Sequence, residues 1–88
     1  MATGKVKRVA DGDTFVLCSG EKVRIANLDA PELNQPGGPA AKKRLQKALP
    51  RGQRIGLSKV LAKSYDRNVR KVTVNGKPVE KIVKPPKR

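Results

Sequence analysis

The sequence predicts a mainly β, α+β domain: three strands in a meander, one helix, then two more strands. Three observations carry this. Apolar and polar residues alternate in short runs on both sides of one helical segment, residues 40–49, and period-2 alternation marks half-buried strands. Turn residues punctuate the runs at Asp11-Gly12-Asp13, Ser19-Gly20-Glu21 and Asn75-Gly76. The 88 residues leave room for one domain, 1–88, with one small core.

Val6 and Val9 stand among Lys5, Lys7 and Arg8 as a short first strand over 5–10. Asp11-Gly12-Asp13 then turns the chain into Thr14-Phe15-Val16-Leu17-Cys18. That run has strong β-propensity, so residues 4–17 read as a hairpin. Residues 22–28 form the third strand, with Val23, Ile25 and Leu28 facing inward. Residues 29–39, with three prolines and two glycines, form a loop. Pro39 suits the first turn of a helix.

In residues 40–49, Ala41, Leu45, Ala48 and Leu49 fall at helical spacing, with Lys42, Lys43, Arg44 and Lys47 outside. Pro50 and Gly52 stop that helix. Residues 53–62 read as a fourth strand with Ile55, Leu57 and Val60 inward, 63–68 as a loop, and 69–74 as a fifth strand. Residues 79–83 fit one helical turn or a sixth short strand. Pro85 pushes Lys84 out of helical geometry, and 84–88 reads as a disordered basic tail. This order is that of a five-stranded Greek-key barrel of the OB type, with one helix between strands 3 and 4.

Twenty-one Lys and Arg face seven Asp and Glu, a net charge of +14. Such a balance points to a polyanionic partner, because phosphate neutralisation releases counterions. A solubility surface is the competing reading. Phe15 and Tyr65 are the only aromatics, so the core must be aliphatic around Phe15. Cys18 is alone, which excludes an intrachain disulfide; in its apolar run it reads as a buried thiol. The absence of His removes the commonest general base and zinc ligand. No apolar run is long enough for a signal peptide or membrane span. The expectation is a cytoplasmic monomer with no membrane partner, secretion being the alternative if the chain is a mature or truncated form.

Four of the seven carboxylates, Asp11, Asp13, Asp29 and Glu32, lie in two tight groups within residues 9–32, with Arg24 between them. Asp13 begins a strand, Asp29 ends another, and Glu32 follows across the bend Ala30-Pro31. Two aspartates converging at one end of a small barrel make an all-oxygen site for Ca²⁺ or Mg²⁺. Glu32 is placed to take a proton from water, and Arg24 offers a fork to phosphate. Metal, carboxylate base and arginine together describe phosphodiester hydrolysis. Taken singly, D-G-D is a hairpin turn and D-A-P-E a capping loop.

The combination of D-G-D-T, R-x-x-x-x-D-x-P-E and Tyr65-Asp66-Arg67, in that order, resembles the staphylococcal nuclease (thermonuclease) family over residues 4–83. The resemblance implies Ca²⁺-dependent hydrolysis of DNA and RNA at the 5′ P–O bond, leaving 3′-phosphates. It implies Asp13, Asp29 and the backbone carbonyl of Ala30 as calcium ligands and Glu32 as the base or water-orienting residue. Arg24 and Arg67 match the phosphate-binding arginines, and Tyr65 a tyrosine near the 5′-phosphate of the bound nucleotide. Asp66 stands where the family commonly has glycine, close enough in sequence to pair with Arg67. The family's C-terminal helices are expected to be reduced or missing. A noncatalytic OB-type nucleic-acid-binding module, or a truncated and weakly active nuclease, is the alternative reading.

Tyr65 fits either stacking on a base or covering the core edge. Arg70 reads as an outward strand residue rather than a third phosphate ligand.

Overall fold

The computed structural model describes residues 2–83. Strand β1, Ala2–Val9, is the longest and serves two neighbours. Its first half pairs antiparallel with β4, Arg54–Leu57, from Ala2↔Leu57 to Lys5↔Arg54. Its second half pairs antiparallel with β2, Thr14–Leu17, from Val6↔Leu17 to Val9↔Phe15. The register slips between Val6 and Arg8. That slip is a bulge, which inserts a residue and bends the strand. It also explains the i, i+3 spacing of Val6 and Val9: both are buried, while Lys7 and Arg8 between them are exposed.

Strand β2 pairs with β3, Lys22–Ile25. β3 then pairs in parallel with a strand far along the chain, β6, Arg67–Arg70, whose other edge carries β5, Ala62–Ser64. After Lys71, β7, Val72–Val74, pairs with β4 and turns into β8, Lys77–Pro78. Asn75 and Gly76 both have positive φ, 52° and 81°, as a two-residue hairpin turn needs. The order across the sheet is β5-β6-β3-β2-β1-β4-β7-β8. One helix, α1, Gly38–Ala48, lies between β3 and β4, and a single turn, α2, Val79–Ile82, follows β8. No helix among the described residues is long and apolar enough to cross a membrane.

The core is aliphatic around Phe15, as the composition requires. Val6, Phe15, Val23, Ile25, Leu45, Val72 and Val79 are fully buried, and Leu28, Leu49, Ile55 and Leu57 nearly so. Helix α1 supplies Leu45 and keeps Lys43 and Lys47 outside, and Leu49 follows at its C-terminal cap. Pro39 sits in its first turn as expected, although the helix starts two residues earlier than residue 40, at Gly38.

Four expectations need correction. Residues 63–68 are not a loop but most of the β5–β6 hairpin, with Tyr65 and Asp66 at its turn. The fifth strand is divided at Lys71, because Ser58 takes both of that residue's backbone groups: Lys71 N donates to Ser58 Oγ at 2.9 Å and Ser58 N to the Lys71 carbonyl at 3.0 Å. The fourth strand ends at Leu57, leaving Val60 exposed. Cys18 is exposed, because β2 ends at Leu17, whose carbonyl accepts Gly20 N in the next turn. Of the open alternatives, residues 79–83 take the helical one. The tail 84–88 lies outside the described residues.

Candidate functional site

The β1–β2 turn fixes the first carboxylates. Ala10 N and Asp11 N both donate to the Thr14 carbonyl, at 2.9 and 3.1 Å, and Asp13 N donates to Asp11 Oδ1 at 3.2 Å. Gly12 is required here: a Cβ on it would come within 2.6 Å of Ala30 Cβ and 2.7 Å of Ala41 Cβ. The turn is thereby pressed against both the 28–31 segment and α1. Asp13 is buried, and its carbonyl accepts Ile25 N at 2.9 Å, which ties it to β3.

Burial raises the Asp13 pKa above its ordinary 3.8; the Asp11 carboxyl beside it adds to the rise, and the Thr14 hydroxyl works against it. Thr14 Oγ1 donates to Asp13 Oδ1 at 3.0 Å. The same hydroxyl oxygen accepts Arg67 Nη1 at 2.9 Å, while Arg67 Nη2 donates to Ser64 Oγ at 3.2 Å. Arg67, 53 positions along the chain from Thr14, is therefore held on the Asp13 cluster through that one threonine.

Arg24, opposite Thr14 on β3, reaches the same cluster. Its Nη2 lies 2.9 Å from Asp29 Oδ1 and 3.5 Å from Asp13 Oδ2, and donates to the Leu28 carbonyl at 3.2 Å. The two predicted metal-ligating aspartates thus converge on one guanidinium nitrogen. Glu32 is held by its backbone: Glu32 N donates to Gln35 Oε1 at 3.0 Å, and its carbonyl accepts Gln35 N at 2.9 Å.

These residues enclose a polar cavity of about 220 Å³ lined by Asp11, Asp13, Arg24, Ala30, Pro31, Glu32 and Arg67. Five of the seven sequence-predicted site residues line it: Asp13, Arg24, Ala30, Glu32 and Arg67. Asp29 is drawn in only through Arg24; its side chain is fully exposed and borders a separate cleft with Gly12 and Arg44. Tyr65 is not on the lining; at 96% exposure on the β5–β6 turn it covers no part of the core. Among the described residues no three His, Cys, Asp or Glu side chains form a ready-made metal cluster.

Asp66 does not pair with Arg67. Its carboxylate sits 2.6 Å from Lys22 Nζ, and that bond lowers its pKa. Arg70 turns away from the cavity to Glu21, with Nε at 2.9 Å from Oε2 and Nη2 at 3.2 Å from Oε1.

Sequence reasoning assigned no role to Asp11, Thr14, Gln35 or Gly38. Asp11 and Thr14 flank Asp13 in D-G-D-T, and that adjacency was the available signal. Gln35 holds the Glu32 backbone through its own Oε1 and N, and Gly38 packs on Glu32 so closely that a Cβ there would come within 2.8 Å of the Glu32 carbonyl carbon; the sequence alone announces neither approach.

No protein-family model matches the chain, and no curated protein matches it.

Proposed function

We propose that the chain is a metal-dependent phosphodiesterase of low sequence preference acting on DNA or RNA, built on a five-stranded barrel of the OB type. The barrel reading is supported by the pairings. If β6 and β7 count as one strand bent at Lys71, the neighbours run β1-β2-β3-β6/β7-β4 and return to β1, with the parallel pair at β3–β6.

The observation that carries the functional reading is the cavity itself. The Glu32 carboxylate, a pair of carboxylates from the β1–β2 turn and two arginines from different strands meet in one polar space. In this reading Arg24 and Arg67 hold the phosphodiester oxygens by charge-assisted hydrogen bonds. Glu32 takes a proton from the attacking water as its oxygen bonds to phosphorus. The P–O5′ bond breaks, the 5′ oxygen leaves and takes up a proton from solvent, to which Glu32 returns its own, and the phosphate stays on the 3′ side. Developing charge on the phosphoryl oxygens is met by the two guanidinium groups, already fixed by Thr14, Ser64 and the Leu28 carbonyl.

The donor set fits a hard divalent cation, being all oxygen, with the Asp13 carboxylate desolvated beside Asp11. Asp13, Asp29 and the Ala30 carbonyl would hold Ca²⁺ with the Asp29 carboxylate released from Arg24 Nη2, and the ion would supply Lewis-acid polarisation of a phosphoryl oxygen.

The test is cleavage of labelled single-stranded and duplex DNA, and of RNA, in Ca²⁺, Mg²⁺ or EDTA. Cleavage in Ca²⁺ that stops in EDTA and leaves 3′-phosphate ends is expected. Binding without cleavage in every metal would leave a nucleic-acid-binding module and overturn the hydrolytic assignment.

A further inference from the structure

At the far end of α1 from Glu32 there is a further concavity, of about 350 Å³, lined by Lys7, Arg8, Val9, Gln46, Leu49, Pro50 and Arg51. Two backbone devices build it. The bulge in β1 sets Lys7 and Arg8 side by side on the outside; regular alternation would have turned one of them inward. The turn after α1 brings Arg51 to the same place. Gln53 N closes that turn on the Pro50 carbonyl at 2.9 Å. Gly52 N donates to the Val6 carbonyl at 2.7 Å and Val6 N to the Gln53 carbonyl at 3.0 Å, which stitches the turn to β1. Gly52, at φ +86°, supplies the left-handed conformation the turn needs.

The charge of this groove is uncompensated. No Asp or Glu lines it. Among the described residues the ion pairs engage Lys22, Arg24 and Arg70, and none engages Lys7, Arg8 or Arg51. Two guanidinium groups and an ammonium around an apolar floor of Val9, Leu49 and Pro50 suit a chain of phosphates carrying sugars and bases. Helix α1 has 11 residues, so the groove lies about 16 Å along the helix axis from Gly38, the residue packed on Glu32.

We propose that this groove is a second binding site for the phosphodiester backbone of a nucleic-acid strand, gripping the polymer away from the carboxylate cavity. The proposal rests on the nucleic-acid reading of the chain and does not require hydrolysis.

Binding of a labelled single strand of about 16 nucleotides, the upper site size of one OB-type unit, is measured by fluorescence anisotropy across a salt series in EDTA. Two triple variants of equal charge are compared. One is Lys7→Gln, Arg8→Gln and Arg51→Gln; the other is Lys59→Gln, Lys71→Gln and Lys77→Gln, exposed cations outside both concavities. The three groove cations are exposed and their side chains make no hydrogen bond among the described residues, so both variants should melt with the wild type. The groove variant is expected to bind about tenfold more weakly, or worse, near 0.1 M salt. Its slope of log K against log salt should fall by about 2, at roughly 0.7 for each phosphate of a single strand that is no longer neutralised. The control should keep most of both. Equal losses in the two variants, or a wild type that does not bind, would overturn the proposal. A wild type that binds through the groove yet never cleaves with Ca²⁺ keeps the groove and removes the hydrolytic reading. One that cleaves, with the groove variant unchanged in binding, does the reverse.

Discussion

Gly38 packs its Cα so closely against the carbonyl of Glu32 that a methyl group there would overlap that oxygen and approach Leu33 Cα to 2.9 Å. The start of α1 and the segment bearing the proposed base are thus docked backbone to backbone. Gly38 N donates to the Gln35 carbonyl at 3.0 Å, and Gln35 is itself hydrogen-bonded to both backbone groups of Glu32. Gly38→Ala should therefore push Glu32 away from the cavity. We expect a loss of about 1–3 kcal/mol, the usual cost of overpacking, read from the urea midpoint. Cleavage should fall by more than the unfolded fraction explains. A variant with parental stability and rate would show that this packing positions nothing.

Asp13→Asn should stabilise the metal-free protein. Burial, reinforced by Asp11, raises the Asp13 pKa above 3.8, so the folded state holds this proton more tightly than the unfolded chain. Below 3.8 the group is protonated in both states and costs nothing. As pH rises through the raised folded value, ionisation erodes stability. The amide has no such cost and keeps an acceptor for Thr14. Melting curves in EDTA should coincide at acid pH and separate toward neutrality, with the variant higher by a few degrees. Added Ca²⁺ should raise the wild-type Tm and leave that of the variant nearly unmoved. A calcium shift of equal size in both would remove Asp13 from the metal site.

Glu21 and Arg70 should matter to stability and not to chemistry. Their two-point pair joins the β2–β3 turn to the end of β6, and Arg70 Nη1 also donates to the Ser58 carbonyl at 3.1 Å. Breaking a buried pair costs about 3–5 kcal/mol. Glu21 keeps about a quarter of its side chain exposed, so Glu21→Gln should cost less, about 2 kcal/mol by chemical denaturation. The double variant Glu21→Met and Arg70→Leu should recover most of that loss, with the cleavage rate per folded molecule unchanged throughout.

The fold was legible where local pattern and tertiary demand agreed. Phe15, Val23, Ile25, Leu45, Leu49, Ile55 and Leu57 fall where alternation or helical spacing places them, and all are buried. It was hidden where backbone pairing overrode pattern. The bulge at Lys7 is invisible without its partner strand. The break at Lys71 depends on Ser58, 13 positions away. The β5–β6 hairpin turns at Tyr65-Asp66, where Tyr65 takes φ 59°, a conformation that a bulky aromatic residue seldom adopts. The site followed the same division. Asp13, Arg24 and Glu32 could be named from their spacing, Ala30 and Arg67 only through the family resemblance, and all five share one cavity. Thr14 as the link between Asp13 and Arg67, and Gly38 as the seat of Glu32, depend on approaches across the fold.

Whether this cavity hydrolyses phosphodiesters is decided by comparing three proteins on one labelled strand at saturating Ca²⁺. They are the wild type, Glu32→Gln and Arg67→Ala, each with its melting temperature recorded. Glu32→Gln should lower kcat by about 10²–10⁴ and Arg67→Ala by about 10²–10³. Glu32→Gln should melt with the wild type, since the Glu32 side chain makes no hydrogen bond or ion pair among the described residues. An inactive wild type, or two variants that cleave at its rate, would contradict hydrolysis in this cavity.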